Sequence, residues 1–135
     1  TDDYVEKISG KTVKELFDEG ENVFRDWESK AIFELSQKKN IVVATGGGAI
    51  LRDCNVSAMR LSGTVVLIER KIEDILSNLR TDTRPLLKDG AQKLKEIYAQ
   101  RKERYYSTCD KVVKSYEYDM YKTVNDIVKV DKLRH

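Results

Sequence analysis

The stretch I-V-V-A-T-G-G-G, residues 41–48, decides the fold class of this chain. Residues 41–44 form a short, wholly apolar run, which predicts a strand buried on both faces, as in parallel sheets covered by helices. The run T-V-V-L-I at 64–68 predicts a second strand, and residues 111–114 predict a third. Because helical patterns separate these strands, we expect an α/β domain with a parallel sheet.

The helices are predicted from caps and from apolar residues at three- and four-residue spacing. Residues 2–9 end at Gly10, and Thr12 then begins a capping box with Glu15. Gly20 ends this second helix, and the longest helical stretch follows at 21–38. Further helices are predicted at 53–61, 71–80, 91–107 and 119–133. In the last of these, the residues expected to face inward are Met120, Val124, Ile127 and Val128.

Length and composition exclude several classes of protein. The chain has 135 residues, enough for one domain over residues 1–135, and its net charge is +2 with no long run of one sign. No nucleic-acid partner, membrane span or signal peptide is indicated. Cys54 and Cys109 lie far apart without a metal-binding or disulfide pattern, so a soluble, cytoplasmic protein is expected.

Gly46, Gly47 and Gly48 follow the predicted strand directly, where ligands bind in open α/β sheets. Successive glycines allow unusual backbone conformations and let a ligand approach backbone N–H groups closely. The alternative is a flexible turn between a strand and a helix. Three glycines exceed what such a turn needs, which favours a functional interpretation.

Arginines provide the second group of candidate residues. Arg80 precedes a polar loop at about 81–90 that contains Arg84 and Pro85, and a loop of this kind can close over phosphates. Arg25 borders an apolar helix stripe, and Arg101 lies on a basic helix face. Each of these could instead be a solvated surface residue.

The segment Gly10-Lys11-Thr12 resembles the end of a phosphate-binding loop, but Val5 stands where the first glycine of that motif is required.

Six motifs occur in order along nearly the whole chain. They are D-x-x-[IV]-E, S-G-K-T-V-x-E-L-F, G-E-x-x-F-R-x-x-E, A-T-G-G-G, T-R-P-L-L and R-x-x-x-Y, beginning at Asp2, Ser9, Gly20, Ala44, Thr83 and Arg101. Each motif is weakly specific, whereas the ordered set closely resembles shikimate kinase. The resemblance implies a P-loop kinase-like, nucleoside-monophosphate-kinase-like three-layer α/β fold with a five-stranded parallel sheet. It also implies transfer of the γ-phosphoryl group of ATP to the 3-hydroxyl of shikimate, with Mg²⁺.

The resemblance also implies roles for individual residues. Asp2 would bond the shikimate hydroxyls and accept a proton, Arg25 and Arg101 would hold the carboxylate, and Gly46–Gly48 would complete the shikimate site. Arg84 would meet the transferring phosphate as the lid arginine, and Arg80 would lie beside the adenine. Thr45 would lie near the magnesium shell, although no protein residue is assigned as a metal ligand.

Two departures from the family pattern lead to further expectations. The family begins with a strand, a glycine-rich loop ending in GK[ST] and a helix, a βα unit of roughly 30 residues that this sequence lacks. We therefore expect weak activity from this chain alone. The alternative is a non-catalytic shikimate- or partner-binding remnant, or a related small-molecule kinase.

The second departure is that residues 115–123 lack the proline that many relatives place beside the adenine. A complete enzyme is expected to be a monomer.

Overall fold

The computed structural model describes residues 1–71, 90–115 and 120–134. These residues divide into two compact units, the first formed by residues 1–63 and the second by the described residues from 64 onward. The predicted helix at 71–80 and almost all of the predicted lid loop lie outside the described residues. The expectation of one domain over the whole chain stays a prediction.

The first unit is helical. Its helices are α1 (Asp2–Ser9), α2 (Val13–Glu19), α3 (Glu21–Ser36) and α4 (Asp53–Ser62), with a 3₁₀ turn at Ala49–Leu51 before α4. The predictions for α1, α2 and α4 are confirmed to within a residue or two, and α3 ends two residues earlier than expected. The bounds of these helices therefore follow largely from local sequence signals.

Short-range signals fix the connections between α1, α2 and α3. Gly10 ends α1 in the left-handed region with φ 72°, a conformation that costs glycine little, and its N–H donates to the Glu6 carbonyl. Thr12 forms the predicted capping box, in which its side chain accepts from the Glu15 N–H and Glu15 bonds back to the Thr12 N–H. The Gly10-Lys11-Thr12 segment is thus a turn between two helices, in agreement with its rejection as a phosphate loop.

The core of the first unit forms where α1, α2 and α3 meet. Its fully buried members are Val5, Leu16, Phe24 and Ala31. The Phe17 and Phe24 rings stack with centroids 4.4 Å apart. Burial of such side chains removes apolar surface from water, which stabilises the packing of the three helices. This packing holds α3, and with it Arg25, in a fixed position.

The strand predicted at 41–44 is wrong in the structure. Residues 41–46 have no regular secondary structure, and Val42 is 99% exposed where burial on both faces was expected. A strand is defined by backbone hydrogen bonds to a neighbouring strand. Among the described residues of the first unit no such strand is present, and the Ala44 carbonyl instead accepts a 2.6 Å hydrogen bond from the Thr1 amino group. The apolar pattern alone could not supply a partner.

The second unit contains a parallel pair of strands, β1 (Val66–Glu69) and β2 (Lys111–Lys114). Their register pairs Val66 with Lys111 and Glu69 with Lys114. The Asp110 carboxylate accepts a 2.7 Å hydrogen bond from the Val65 N–H, which fixes the start of the pair. The predicted parallel arrangement of these two strands is confirmed, with β1 shifted toward the C-terminus by one or two residues.

Two helices complete the described part of the second unit, α5 (Ala91–Thr108) and α6 (Met120–Arg134). Both were predicted, but the inward face assigned to α6 is wrong. Met120 is 77% exposed and Val124 is 50% exposed, whereas Thr123 is buried. Successive residues are about 100° apart around a helix axis. The buried face at Thr123 therefore differs by that angle from the apolar face predicted at Val124.

Candidate functional site

Arg25 is a buried charged residue of the first unit, and contacts with its neighbours hold its side chain in place. It is buried, only 7% exposed, and its guanidinium lies over the Phe24 ring at 5.2 Å from the centroid. Nη1 donates to Glu28 at 2.9 Å and Nη2 donates to Glu21 at 3.4 Å. These contacts hold the planar guanidinium in one orientation on α3.

One donor of Arg25 remains available. The Nε–H is buried and has no hydrogen-bond partner among the described residues. A guanidinium has five N–H donors and suits the two oxygens of a carboxylate or phosphate. The geometry therefore describes a fixed cation, paired with two carboxylates, whose buried Nε–H is an unused donor.

Gly48 lies directly against this guanidinium. A Cβ atom placed on Gly48 would be 2.3 Å from both Nη1 and Nη2 of Arg25, a distance at which no side chain fits. The φ of Gly48 is −88°, so its backbone conformation is open to any residue. Gly48 is therefore needed for space and not for conformational freedom, a correction to the argument from sequence.

The three glycines do not share one environment. Gly48 is buried, Gly46 is half-buried and Gly47 is exposed. The Ala49 N–H donates to the Gly46 carbonyl at 3.2 Å, which closes a tight turn around Gly47 and Gly48. The structure thus places Gly48 against Arg25, while the roles of Gly46–Gly48 and Arg25 in one site stay predictions.

Asp2 is the first residue of α1 and is half-buried. Asp3 accompanies it in the first helical turn, where carboxylates are favoured by the positive end of the helix dipole. Helix α1 packs against α3, the helix that carries Arg25. The first unit therefore supplies a carboxylate as well as the buried cation.

Four further residues carry predicted roles. Arg101 is half-buried on α5 in the second unit. Arg80 and Arg84 lie outside the described residues. Thr45 is exposed, directly before the glycines. The assignments of Arg101, Arg80 and Arg84 stay predictions.

Sequence reasoning gave no role to three residues that shape the site. Glu28 is 1% exposed and pairs with Arg25, and Asn55 is 2% exposed and bonds to the Ala49 carbonyl. Arg52 donates to Asp26 at 2.8 Å and so joins the end of the glycine turn to α3. Glu28 could have been found from its i,i+3 spacing to Arg25, whereas the other two contacts cross between separate elements.

No helix among the described residues is long and apolar enough to cross a membrane. Within the same residues, no group of three or more His, Cys, Asp or Glu side chains is placed to hold a metal ion. Cys54 and Cys109 are both free thiols.

Solved structures with the same architecture are kinases. The structure of "Shikimate kinase from Acinetobacter baumannii in complex with shikimate" matches with a TM-score of 0.86 and 29% identity, over 98% of this chain and 78% of that one. The shikimate kinase from Aquifex aeolicus matches with a TM-score of 0.76 and 30% identity, over 95% and 76% of the two chains. The fold and the site therefore define a small α/β kinase of the P-loop type.

The particular family follows from the sequence comparisons. The family model for shikimate kinase matches residues 1–132. A shikimate kinase from Clostridium botulinum is 40% identical over 112 residues, which is 83% of this chain and 68% of the relative. One from Chromohalobacter salexigens is 37% identical over 98% of this chain and 76% of its own length. The chain belongs to the shikimate kinase family.

Proposed function

We propose that this chain performs the reaction of its family, transfer of the γ-phosphoryl group of ATP to the 3-hydroxyl of shikimate. The observation that carries the proposal is the buried Arg25, which is fixed by Glu28 and Phe24, lies against Gly48 and has a free Nε–H. Shikimate is a small carboxylic acid with several hydroxyl groups. It needs a cation for its carboxylate and hydrogen-bonding groups for its hydroxyls.

In the proposed site, Arg25 binds the shikimate carboxylate from α3. Asp2 accepts hydrogen bonds from the hydroxyl groups and takes the proton of the attacking hydroxyl. The Gly46–Gly48 turn presents its backbone close to the ring, since glycines permit such an approach. For Arg101 we propose a carboxylate-binding role on the strength of its position in the R-x-x-x-Y motif.

The phosphate side of the reaction is proposed from the motifs. Phosphoryl transfer needs little covalent assistance and depends mainly on positioning and charge neutralisation. Arg84 is proposed to neutralise charge on the transferring phosphate, and Arg80 to contact the adenine. Mg²⁺ commonly keeps several waters and binds nucleotide phosphates together with one or two carboxylates. No residue of this chain is assigned as its ligand, and Thr45 is proposed to lie near the magnesium shell. A cytoplasmic, monomeric enzyme stays a prediction.

Replacement of Arg25 tests the proposal. We expect Arg25→Ala to weaken shikimate binding by about 10- to 100-fold, because a hydrogen bond to a charged group contributes about 1.5–3 kcal/mol. ATP binding should change by less than about twofold, because Arg25 is assigned to the carboxylate alone. Isothermal titration calorimetry with each ligand measures both affinities.

Arg60→Ala is the matched control, because Arg60 is an exposed arginine on α4 and its loss changes the net charge equally. Shikimate affinity should be unchanged in this variant. An equal loss of shikimate and ATP binding in Arg25→Ala would contradict the assignment, as would normal shikimate binding.

A further inference from the structure

Asn55 is a buried amide for which the proposed mechanism has no use. It lies in the first turn of α4 and is 2% exposed. Its Nδ2 donates to the Ala49 carbonyl at 3.0 Å, and its Oδ1 accepts from the Cys54 thiol at 3.6 Å. A buried polar side chain is costly unless it is hydrogen-bonded, so the bond to Ala49 compensates for burying the amide.

The partner of this hydrogen bond belongs to the glycine turn. Ala49 directly follows Gly48, and its N–H closes the turn onto the Gly46 carbonyl at 3.2 Å. The N–H of Ala49 thus holds one side of the turn, while its carbonyl is held by Asn55 on α4. These two bonds join the turn to a helix that packs on α3.

The turn has little freedom to move because Arg25 occupies the space beside Gly48. A Cβ on Gly48 would already lie 2.3 Å from the guanidinium, so a displacement of the turn toward α3 would meet the same atoms. A displacement away from α3 would open a gap between the backbone of the turn and the cation. The distance between them therefore depends on what anchors Ala49.

We propose that Asn55 is a positioning residue of the substrate site, which holds the Gly46–Gly48 turn at its working distance from Arg25. The inference rests on the proposed function, since it assumes that shikimate binds at the site that this turn and Arg25 border together. Asn55 acts through Ala49 and touches no reacting atom. The surface pair of Arg52 with Asp26 supports the same junction from outside, but exposed ion pairs contribute little.

Asn55→Asp removes the donor with almost no change in size. Burial favours the protonated form of the introduced Asp, which can still donate, so affinities are measured at alkaline pH, where the ionised Asp cannot donate and places an acceptor against the Ala49 carbonyl. A carboxylate in the first turn also agrees with the helix dipole, so α4 itself is retained. We expect shikimate affinity to fall by about tenfold, the effect of one buried carbonyl left without its donor. ATP affinity should change by less than about twofold.

Calorimetry with shikimate and with ATP measures both affinities. A change at the shikimate site lowers the affinity for shikimate alone, whereas destabilisation of the whole fold lowers both. The backbone amide resonances of Gly46, Gly47 and Gly48 should also shift in the ligand-free Asn55→Asp variant. Asn125→Asp is the control, because Asn125 is exposed on α6 and undergoes the same chemical change. Ile32→Ala, a cavity in α3 at a 3% exposed position, is the control for lost stability. Both controls should retain the affinity for shikimate.

Each outcome decides the proposal. Unchanged shikimate affinity in Asn55→Asp, or equal weakening of shikimate and ATP, overturns it. If Asn55→Asp does not fold, Asn55→Leu is measured in the same way, and failure of both variants to fold overturns the positioning role in favour of a folding role. Selective loss in Arg25→Ala without loss in Asn55→Asp rejects this inference alone. Absence of shikimate binding by the unaltered chain rejects the proposed function together with it.

Discussion

At the scale of single residues, Tyr106 forms a hydrogen bond to a charged group in the second unit. Its hydroxyl donates to the Glu69 carboxylate, which ties α5 to the end of β1. This hydrogen bond, together with partial burial and the charge of Glu69, raises the pKa of Tyr106 from 10.0 to about 12. Both the bond and the charge favour the protonated phenol in the folded chain.

The raised pKa links the stability of the fold to pH. Because the folded pKa lies above the unfolded value, the contribution of Tyr106 is fully present below about pH 10 and is lost as the pH rises through about 12. We expect ultraviolet titration of the folded chain to show a step near pH 12 from Tyr106. Burial and Glu34 raise the pKa of Tyr4 as well, so the titrations are made in a Tyr4→Phe background. Glu69→Gln should move that step to lower pH, because it removes the negative charge beside the phenol.

Two tyrosine variants identify the group responsible. The late step should disappear in Tyr106→Phe and persist in Tyr121→Phe, since Tyr121 is 85% exposed on α6. A late step that survives in Tyr106→Phe would show that another phenol produces it.

At the scale of elements, the capping box fixes the start of α2 through contacts that are local in sequence. Thr12 and Glu15 satisfy each other's backbone N–H groups within four residues of sequence. We expect Thr12→Ala to lower the free energy of unfolding by about 1 kcal/mol, the usual cost of losing an N-cap side chain. Urea denaturation followed by circular dichroism measures this loss. Thr12→Ser keeps the hydroxyl and should retain most of the stability, and equal losses in the two variants would exclude the cap as the cause.

The elements that sequence predicts well are those whose signals are local. Gly10, Thr12 and Gly20 mark the ends of α1 and α2, and each mark is confirmed. The strand at 41–44 was predicted wrongly because strand formation depends on a neighbour that the local pattern does not contain. The predicted face of α6 is wrong because Thr123, and not Val124, is buried in the helix, which packs against β2.

The site shows the same division between local and distant information. The six ordered motifs identified the family and pointed to Arg25 and Gly48 before any geometry was known. They did not reveal that Gly48 is required for space, nor that Asn55 anchors the turn. Both features depend on contacts between α3, the turn and α4. These elements are separated in sequence, so no residue spacing predicts the contacts.

At the scale of the whole molecule, the exposed apolar segment at 41–43 has consequences for behaviour in solution. Val42 is 99% exposed, Ile41 is 45% exposed and Val43 is 40% exposed. Extended apolar segments with unpaired backbone groups promote association between chains. We expect Val42→Lys to reduce light scattering of concentrated solutions. The free energy of unfolding should change by no more than about 0.5 kcal/mol, as is usual for surface positions.

Asn125→Lys provides the comparison for Val42→Lys, because it adds the same charge at an exposed position on α6. Reduced scattering in both variants would trace the effect to net charge. Reduced scattering in Val42→Lys alone would trace it to the apolar segment. Static light scattering over a concentration series distinguishes the two results.

The contact between Gly48 and Arg25 also constrains how this sequence can diverge. The guanidinium of Arg25 occupies the space that a side chain at position 48 would need. A larger residue at position 48 requires the guanidinium of Arg25 to shift from its present place between Glu28 and Phe24. The effect of a substitution at position 48 therefore depends on which residue occupies position 25.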